Sequence, residues 1–231
     1  MIQETSFKVL VADDTRITAR HYLANSAAAM HVTMTLGHGA GASQQSPFMM
    51  RFARGLANRG IDVVTFDFVY MEQRRRIPDP APKLEACYRA VITAVRERVM
   101  TTKGRLVVGG KSMGGRIASQ AVAADKFDLG VTGLIFLGYP LHPPRQPKRL
   151  RSAHLPLIAT PMLFIQGSRD SFGTPDELQP ILATCQRAQL HVIEGANHAF
   201  KIKRRDIPNL EYVWEKTQDK IAEWVGRLPS V

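Results

Sequence analysis

The stretch that most limits what this chain can fold into is RLVVGGKSMGGRIASQAV, residues 105–122. Its first six residues form a short apolar run suited to a buried strand, and Ile117, Ala121 and Val122 give the following segment a helical apolar face. Strand must therefore pass directly into helix, through a turn tight enough to require small residues on both sides of Ser112. Gly110 and Gly114 meet that requirement, and Gly115 eases packing of helix against strand. Two chemistries compete for the serine. Read as GKS, the stretch ends a phosphate-binding loop; read as GKSMG, it is a GxSxG nucleophile elbow. A phosphate loop needs a glycine five positions before the GK pair, so that successive N–H groups can wrap the phosphates. That position is Arg105, and the LVVG between is strand-like, so the elbow reading stands.

The surrounding chain alternates strand-like and helix-like stretches, which predicts a mostly parallel sheet with helices on both faces. Residues 7–12 and 17–24 predict an antiparallel hairpin at one edge, turning at Asp13-Asp14. Buried strands are expected at 31–36, 61–68, 105–110, 131–138, 161–167 and 190–195. Ser46-Pro47 marks a helix start, with Ser46 as N-cap and Gly60 as the stop. Residues 83–100 carry Leu84, Tyr88, Val91 and Val95 at helical spacing. Thr174-Pro175-Asp176-Glu177 reads as a capping box. An amphipathic helix is expected from about Asn209 to Arg227.

A serine hydroxyl is a weak nucleophile that needs a base, an acid to orient the base, and donors for the developing oxyanion. In the elbow architecture the acid and the histidine each follow a later strand. FIQGSRD delivers Asp170 after one such strand, and VIEGANH delivers His198 after the next. Asp176 lies close to Asp170 in sequence, but it falls in a first helical turn, where a carboxylate already serves the helix dipole. His38 precedes the serine, in the loop GHGAGAS, which is where such folds supply one oxyanion N–H. Ala40 and Met113 are the expected backbone donors. The same loop formally fits a GxGxxA dinucleotide fingerprint, with Asp67 in the ribose-binding place. The helix opens only at Ser46-Pro47, which leaves no helix N-terminus beside a pyrophosphate.

Together TLGHGAGAS, GGKSMGGR, GLIFLGYPLHPP, FIQGSRDSFGTPDEL and GANHAF resemble the α/β-hydrolase superfamily. The likeness is to its dienelactone-hydrolase-like branch without a large cap, and more narrowly to the family of the testis-expressed hydrolase-like protein and a histone-acetyltransferase-complex subunit. The resemblance spans about residues 31–200. It implies an α/β-hydrolase fold and an ester or related acyl substrate, processed by Ser112, Asp170 and His198. Dienelactone hydrolases proper use cysteine in the elbow, so their lactone substrate is not carried over.

At 231 residues one domain over 1–231 is expected. Cys87 and Cys185 have no metal-ligand spacing and read as reduced packing residues, so neither metal nor cofactor is expected. No apolar run reaches membrane-span length, and the opening stretch lacks the pattern of an export signal, so a cytoplasmic location is expected. The net charge is +11, from 31 basic and 20 acidic residues. Three basic clusters, Arg74 to Arg76, Arg145 to Arg151 and Lys201 to Arg205, each follow a predicted strand, at the edge where the site should lie. They either steer an acidic substrate or partner, or are solvated loops with no common role. Tyr139 and His142, in GYPLHPP, are candidate pocket residues alongside His38. The alternative to an enzyme is a binding or scaffold module on the same fold, but no nucleic-acid motif supports a nucleic-acid partner. Oligomeric state is left open.

Overall fold

A hairpin of β1 (Glu4–Ala12) and β2 (Thr15–Tyr22) forms one edge of an eight-stranded sheet of order β1-β2-β4-β3-β5-β6-β7-β8. Strands β3 (Val32–Gly37), β4 (Ile61–Phe66), β5 (Arg105–Lys111), β6 (Val131–Leu137), β7 (Met162–Gly167) and β8 (Ala188–Ile193) run parallel, and β2 joins them antiparallel through β4. This computed structural model describes residues 2–12, 14–100, 104–124, 129–202 and 210–229. Asp13 and Asn209, and with them part of the predicted first turn and the start of the last helix, lie outside the described residues, as do positions 203–205 of the third basic cluster.

Consecutive strand residues point to opposite faces, so each interior strand feeds two cores. Val108, Phe136 and Phe164 pack on one side with Tyr88, Ile117 and Leu178, from α3 (Ala81–Arg98), α4 (Met113–Ala123) and α5 (Pro175–Leu182). Val107, Ile135 and Ile165 pack on the other with Phe52, Ile221 and Trp224, from α1 (Pro47–Asn58) and α6 (Leu210–Gly226). Each such side chain, fully buried, contributes about 1.5–3 kcal/mol. Covering both faces explains why β7 opens on a continuous apolar run and why β3, although it alternates apolar residues with Thr33 and Thr35, is buried along its whole length.

Local signals set several boundaries. Thr174 and Glu177 form the complete reciprocal capping box of α5. Ser46 does occupy the N-cap of α1, yet its hydroxyl makes no capping bond, and Pro47 carries the start of that helix. The predicted strand at 61–68 stops at Phe66, because the Asp67 carboxylate turns to accept bonds from the backbone and side chain of Gln44, at 2.8 and 3.2 Å. Both Asp67 oxygens are thus engaged within the protein, at the place the dinucleotide reading assigned to a ribose. A one-turn helix, α2 (Val69–Glu72), follows, which the apolar spacing had not foreshadowed. Cys185 lies just beyond α5 rather than within it, and both cysteines are free. Between β6 and β7 the only helical element is a 3-10 turn, Leu155–Leu157, so no cap is inserted there. No helix among the described residues is long and apolar enough to cross a membrane.

Tyr88 joins α3 to the two central strands. Its fully buried hydroxyl accepts from the Gly109 N–H at 3.0 Å and faces the carbonyls of Gly109 and Thr35, at 2.6 and 2.9 Å. Tyr88→Phe is expected to strand these backbone groups in the core and to lower stability by about 1–3 kcal/mol. Urea denaturation of the two proteins measures it.

Candidate active site

Ser112 sits between β5 and α4 with φ 51° and ψ −116°, a backbone combination rare for a residue with a side chain. Its N–H donates to Leu137 O at 3.1 Å and its carbonyl accepts from Arg116 N at 3.1 Å, so it is tied to β6 on one side and starts α4 on the other. The flanking glycines are required by contact rather than by flexibility alone. A Cβ on either Gly110 or Gly114 would run into the carbonyl oxygen of Gly37 at the end of β3. The strand-like expectation for residues 105–110 is met by parallel pairing of β5 with β3 and β6, which leaves no phosphate-wrapping loop before Ser112.

Two loops at the same edge of the sheet bring the partners in. After β7 the chain turns tightly, with Asp170 N donating to Gly167 O at 3.1 Å. The Asp170 carboxylate, 1 % exposed, accepts from Phe172 N at 2.8 Å and from Gln166 Nε2 at 3.0 Å. After β8, Ala196 bridges Ile202, and the Asn197 side chain accepts from the N–H groups of Ala199 and Lys201. His198 is held at the tip of this loop. Its Nδ1 lies 2.7 Å from Asp170 Oδ2 and its Nε2 lies 2.8 Å from Ser112 Oγ. The carboxylate accepts at Nδ1, so Nδ1 carries the proton and Nε2 is left as the acceptor for the serine hydroxyl. Burial holds the imidazole below its ordinary value, and the Lys111 charge adds to this, while the bond to Asp170 and its negative charge oppose both. The Phe172 ring covers the imidazole, with centroids 4.3 Å apart. Asp176, the other sequence candidate for the acid, is exposed at the start of α5.

The loop after β3 packs directly on the serine: a Cβ on Gly39 would lie 3.6 Å from Ser112 Cβ. Gly39 O accepts from Ala42 N at 3.1 Å, which makes a turn with Ala40 exposed at its crest. Met113 is the first residue of α4, where a backbone N–H has no partner within the helix. His38 is fully buried. Its Nε2 accepts from Phe68 N at 3.1 Å and its Nδ1 donates to Gly39 O at 2.8 Å, which defines a neutral tautomer; burial pushes its pKa down.

The candidate pocket residues His38, Tyr139 and His142 lie in the loops after β3 and β6. All three are buried. Tyr139 Oη donates to Arg151 O at 2.7 Å, and its ring packs on Phe136 and Phe164. His142 Nδ1 meets Pro143 O at 2.8 Å. The Tyr139 hydroxyl and His142 Nδ1 are thus engaged by neighbouring backbone, while His142 Nε2 lies 3.3 Å from Glu177 Oε1. Lys111, a phosphate ligand in the GKS reading and only the variable position in the elbow reading, donates from its Nζ to the carbonyl of His198 at 2.6 Å. Among the described residues no group of three or more His, Cys, Asp or Glu side chains is arranged to hold a metal.

A serine-bearing elbow after the central strand of an eight-stranded sheet in this order belongs to the α/β-hydrolase fold. The alpha/beta hydrolase domain family model matches residues 30–226, and the chain belongs to that family. Solved structures show the same fold over nearly the whole length. An α/β serine hydrolase without lid from Xanthomonas campestris is similar at 22% identity and TM-score 0.74, covering 99% of this chain and 97% of that one. A dienelactone hydrolase from Anabaena variabilis is similar at 20% identity and TM-score 0.73, covering 98% of each chain. An esterase from Pyrococcus furiosus is similar at 15% identity and TM-score 0.73, covering 98% of this chain and 91% of that one.

Gly138, with φ 71°, leaves the space in which the site converges: a Cβ there would lie 2.8 Å from Lys111 Nζ, 3.3 Å from His198 Nδ1 and 3.4 Å from Asp170 Oδ2. Gly138→Ala is expected to disturb the His198–Asp170 bond, on top of a backbone cost of roughly 1–2 kcal/mol for a left-handed residue with a side chain. The low-field proton NMR signal of the bonded Nδ1–H, present in the wild type, should weaken or vanish in the variant.

Proposed function

We propose that the protein is a serine hydrolase that cleaves a carboxylic ester or related acyl compound through a covalent acyl-enzyme. The observation that carries this reading is the unbroken line of bonds from Asp170 through His198 to Ser112, at 2.7 and 2.8 Å, on an elbow held in a strained conformation. His198 Nε2 takes the hydroxyl proton as Ser112 Oγ bonds to the acyl carbon. The carbonyl electron pair moves to oxygen, where the N–H groups of Met113 and Ala40 receive it, each such donor being worth about 3–4 kcal/mol in the transition state. The C–O bond to the leaving group then breaks and the leaving oxygen takes the proton from His198. Water repeats the sequence: it loses a proton to His198, attacks the acyl carbon, and the proton returns to Ser112 Oγ as the acid departs. Asp170 keeps the ring in the productive tautomer throughout. The serine in the elbow supports a place beside the dienelactone-hydrolase-like enzymes without their cysteine chemistry, and the quoted motifs support the narrower likeness to the testis-expressed hydrolase-like family. Two free cysteines support a cytoplasmic location.

An anionic substrate is the finer part of the proposal. Arg145, Lys148 and Arg149 are exposed in the loop after β6, with no carboxylate at ion-pair distance among the described residues. Arg151 lies beside Arg149, and burial together with that neighbouring charge pushes its pKa down. Arg75, by contrast, is engaged by Asp79 at 2.7 Å, so the first cluster contributes less free charge.

A fluorophosphonate probe should label the wild type and not Ser112→Ala, and that substitution should cut p-nitrophenyl ester turnover by about 10⁶-fold, as for other nucleophiles of this kind. Labelling that survives in Ser112→Ala would assign the chemistry elsewhere. His198 must be neutral to act as base, so kcat/KM should fall as pH drops through its pKa. With that pKa lowered by burial, the acid limb should lie below the ordinary imidazole value of 6.5. If the arginine loop steers substrate, raising salt from about 0.1 M to 1 M, which shortens the screening length from about 10 to 3 Å, should slow anionic esters more than neutral ones. Equal salt dependence would remove the anionic preference while leaving the hydrolase reading in place.

A further inference from the structure

Acyl transfer as derived above makes no use of a cation at the variable position of the elbow, yet Lys111 is built into the site with care. The residue ends β5, next to Ser112 in sequence, and is partly buried. Its Nζ donates to the main-chain carbonyl of His198 at 2.6 Å. It also stands 5.1 Å from the ring centroid of Phe200 and 5.7 Å from that of Phe48. Phe200 follows His198 by two residues and reaches the ammonium with a left-handed backbone, φ 60°; Phe48 comes from the first turn of α1. The missing side chain of Gly138 leaves the room for Nζ.

Two adjacent residues of the elbow therefore grip one residue of the histidine loop. Lys111 holds the His198 backbone and Ser112 meets its ring, and a two-point attachment fixes both the distance and the angle at which Nε2 approaches Oγ. A single contact at the ring would leave the loop free to pivot. We propose that Lys111 is a positioning residue for His198, clamping the histidine loop to the nucleophile elbow. This rests on the hydrolase reading.

The electrostatics agree with the geometry. The charged groups acting on His198 are Asp170 from the loop after β7 and Lys111 from β5; the other faces are Phe172 and the Ser112 hydroxyl. Burial pushes the Lys111 ammonium down to about 8, and the Asp170 charge partly restores it, so at neutral pH the side chain is mostly cationic. A cation there opposes protonation of the ring, while Asp170 favours it. Burial is the larger influence on the ring, and the two opposing charges adjust it in opposite directions.

Lys111→Met keeps the length of the stem against the two rings but removes donor and charge, whereas Lys111→Arg keeps both. Steady-state kinetics on a p-nitrophenyl ester and NMR titration of the His198 imidazole read the outcome. In Lys111→Met, kcat should fall about ten- to a hundredfold, the scale of a displaced catalytic group, with KM little changed, and His198 should titrate at higher pH. Lys111→Arg should recover most of both. Unchanged kcat together with an unchanged His198 titration in Lys111→Met would overturn the proposal. So would an Arg variant no better than Met. If Lys111→Met does not fold, Phe48→Leu replaces it: loss of one ring face should lower kcat about two- to fivefold, and an unchanged kcat would count against the clamp. Failure of the wild type to hydrolyse esters or take the fluorophosphonate would sink the hydrolase reading instead, and the His198 titration, read in the resting protein, would still decide the role of Lys111.

Discussion

The structure depends on a contact in which no side chain takes part. The carbonyl of Gly37, at the end of β3, lies against the backbone of Gly110 and Gly114, on either side of Ser112. Only residues without a Cβ allow a strand, a turn and a helix start to come this close. The closeness places the loop after β3 against the serine. Tyr88 secures the arrangement from below, with its hydroxyl bonded to the N–H of Gly109 just before the turn. The strain at Ser112, on the order of 1–3 kcal/mol for such a backbone, is thus held in place by the packing around it.

Around that fixed point the polar groups are arranged in series. Asp170 is held by Gln166 and Phe172 before it meets His198, and His198 is held by its own loop and by Lys111 before it meets Ser112. The loops after β7 and β8 are also joined to each other, since Arg169 N donates to Ala196 O and Gly195 N to Ser168 Oγ. Each group therefore reaches its partner with few remaining degrees of freedom, and the low dielectric of the site strengthens every link.

What was legible in the sequence is what local chemistry determines. Thr174 and Glu177 announce a helix start because their bonds span only three residues, and the GxSxG spacing announces a turn because it lies in one stretch. Asp170 was separable from Asp176 because a first-turn carboxylate has a helical explanation of its own. The contacts that were not legible share a different cause. Tyr139 and His142 look available in a proline-rich loop, but the backbone atoms that occupy them, Arg151 O and Pro143 O, are revealed only by how that loop folds. Those of Lys111 were hidden because its partners come from α1 and from the loop after β8, and no spacing in the sequence brings a lysine at 111, a ring at 48 and a carbonyl at 198 together. Ser46 shows the reverse: a good N-cap residue in the right place, with the helix start carried by Pro47 instead.

The short 3-10 turn between β6 and β7 has a consequence for how this protein can change. The sheet and the elbow are closed by backbone contacts that tolerate almost no substitution, while residues 143–150 ride on the surface with little to hold them in register. The exposed basic loop and the scaffold that holds the serine are thereby written in separate parts of the chain. A lineage carrying this fold can exchange or lengthen that one segment without reopening the problem of how to hold a serine.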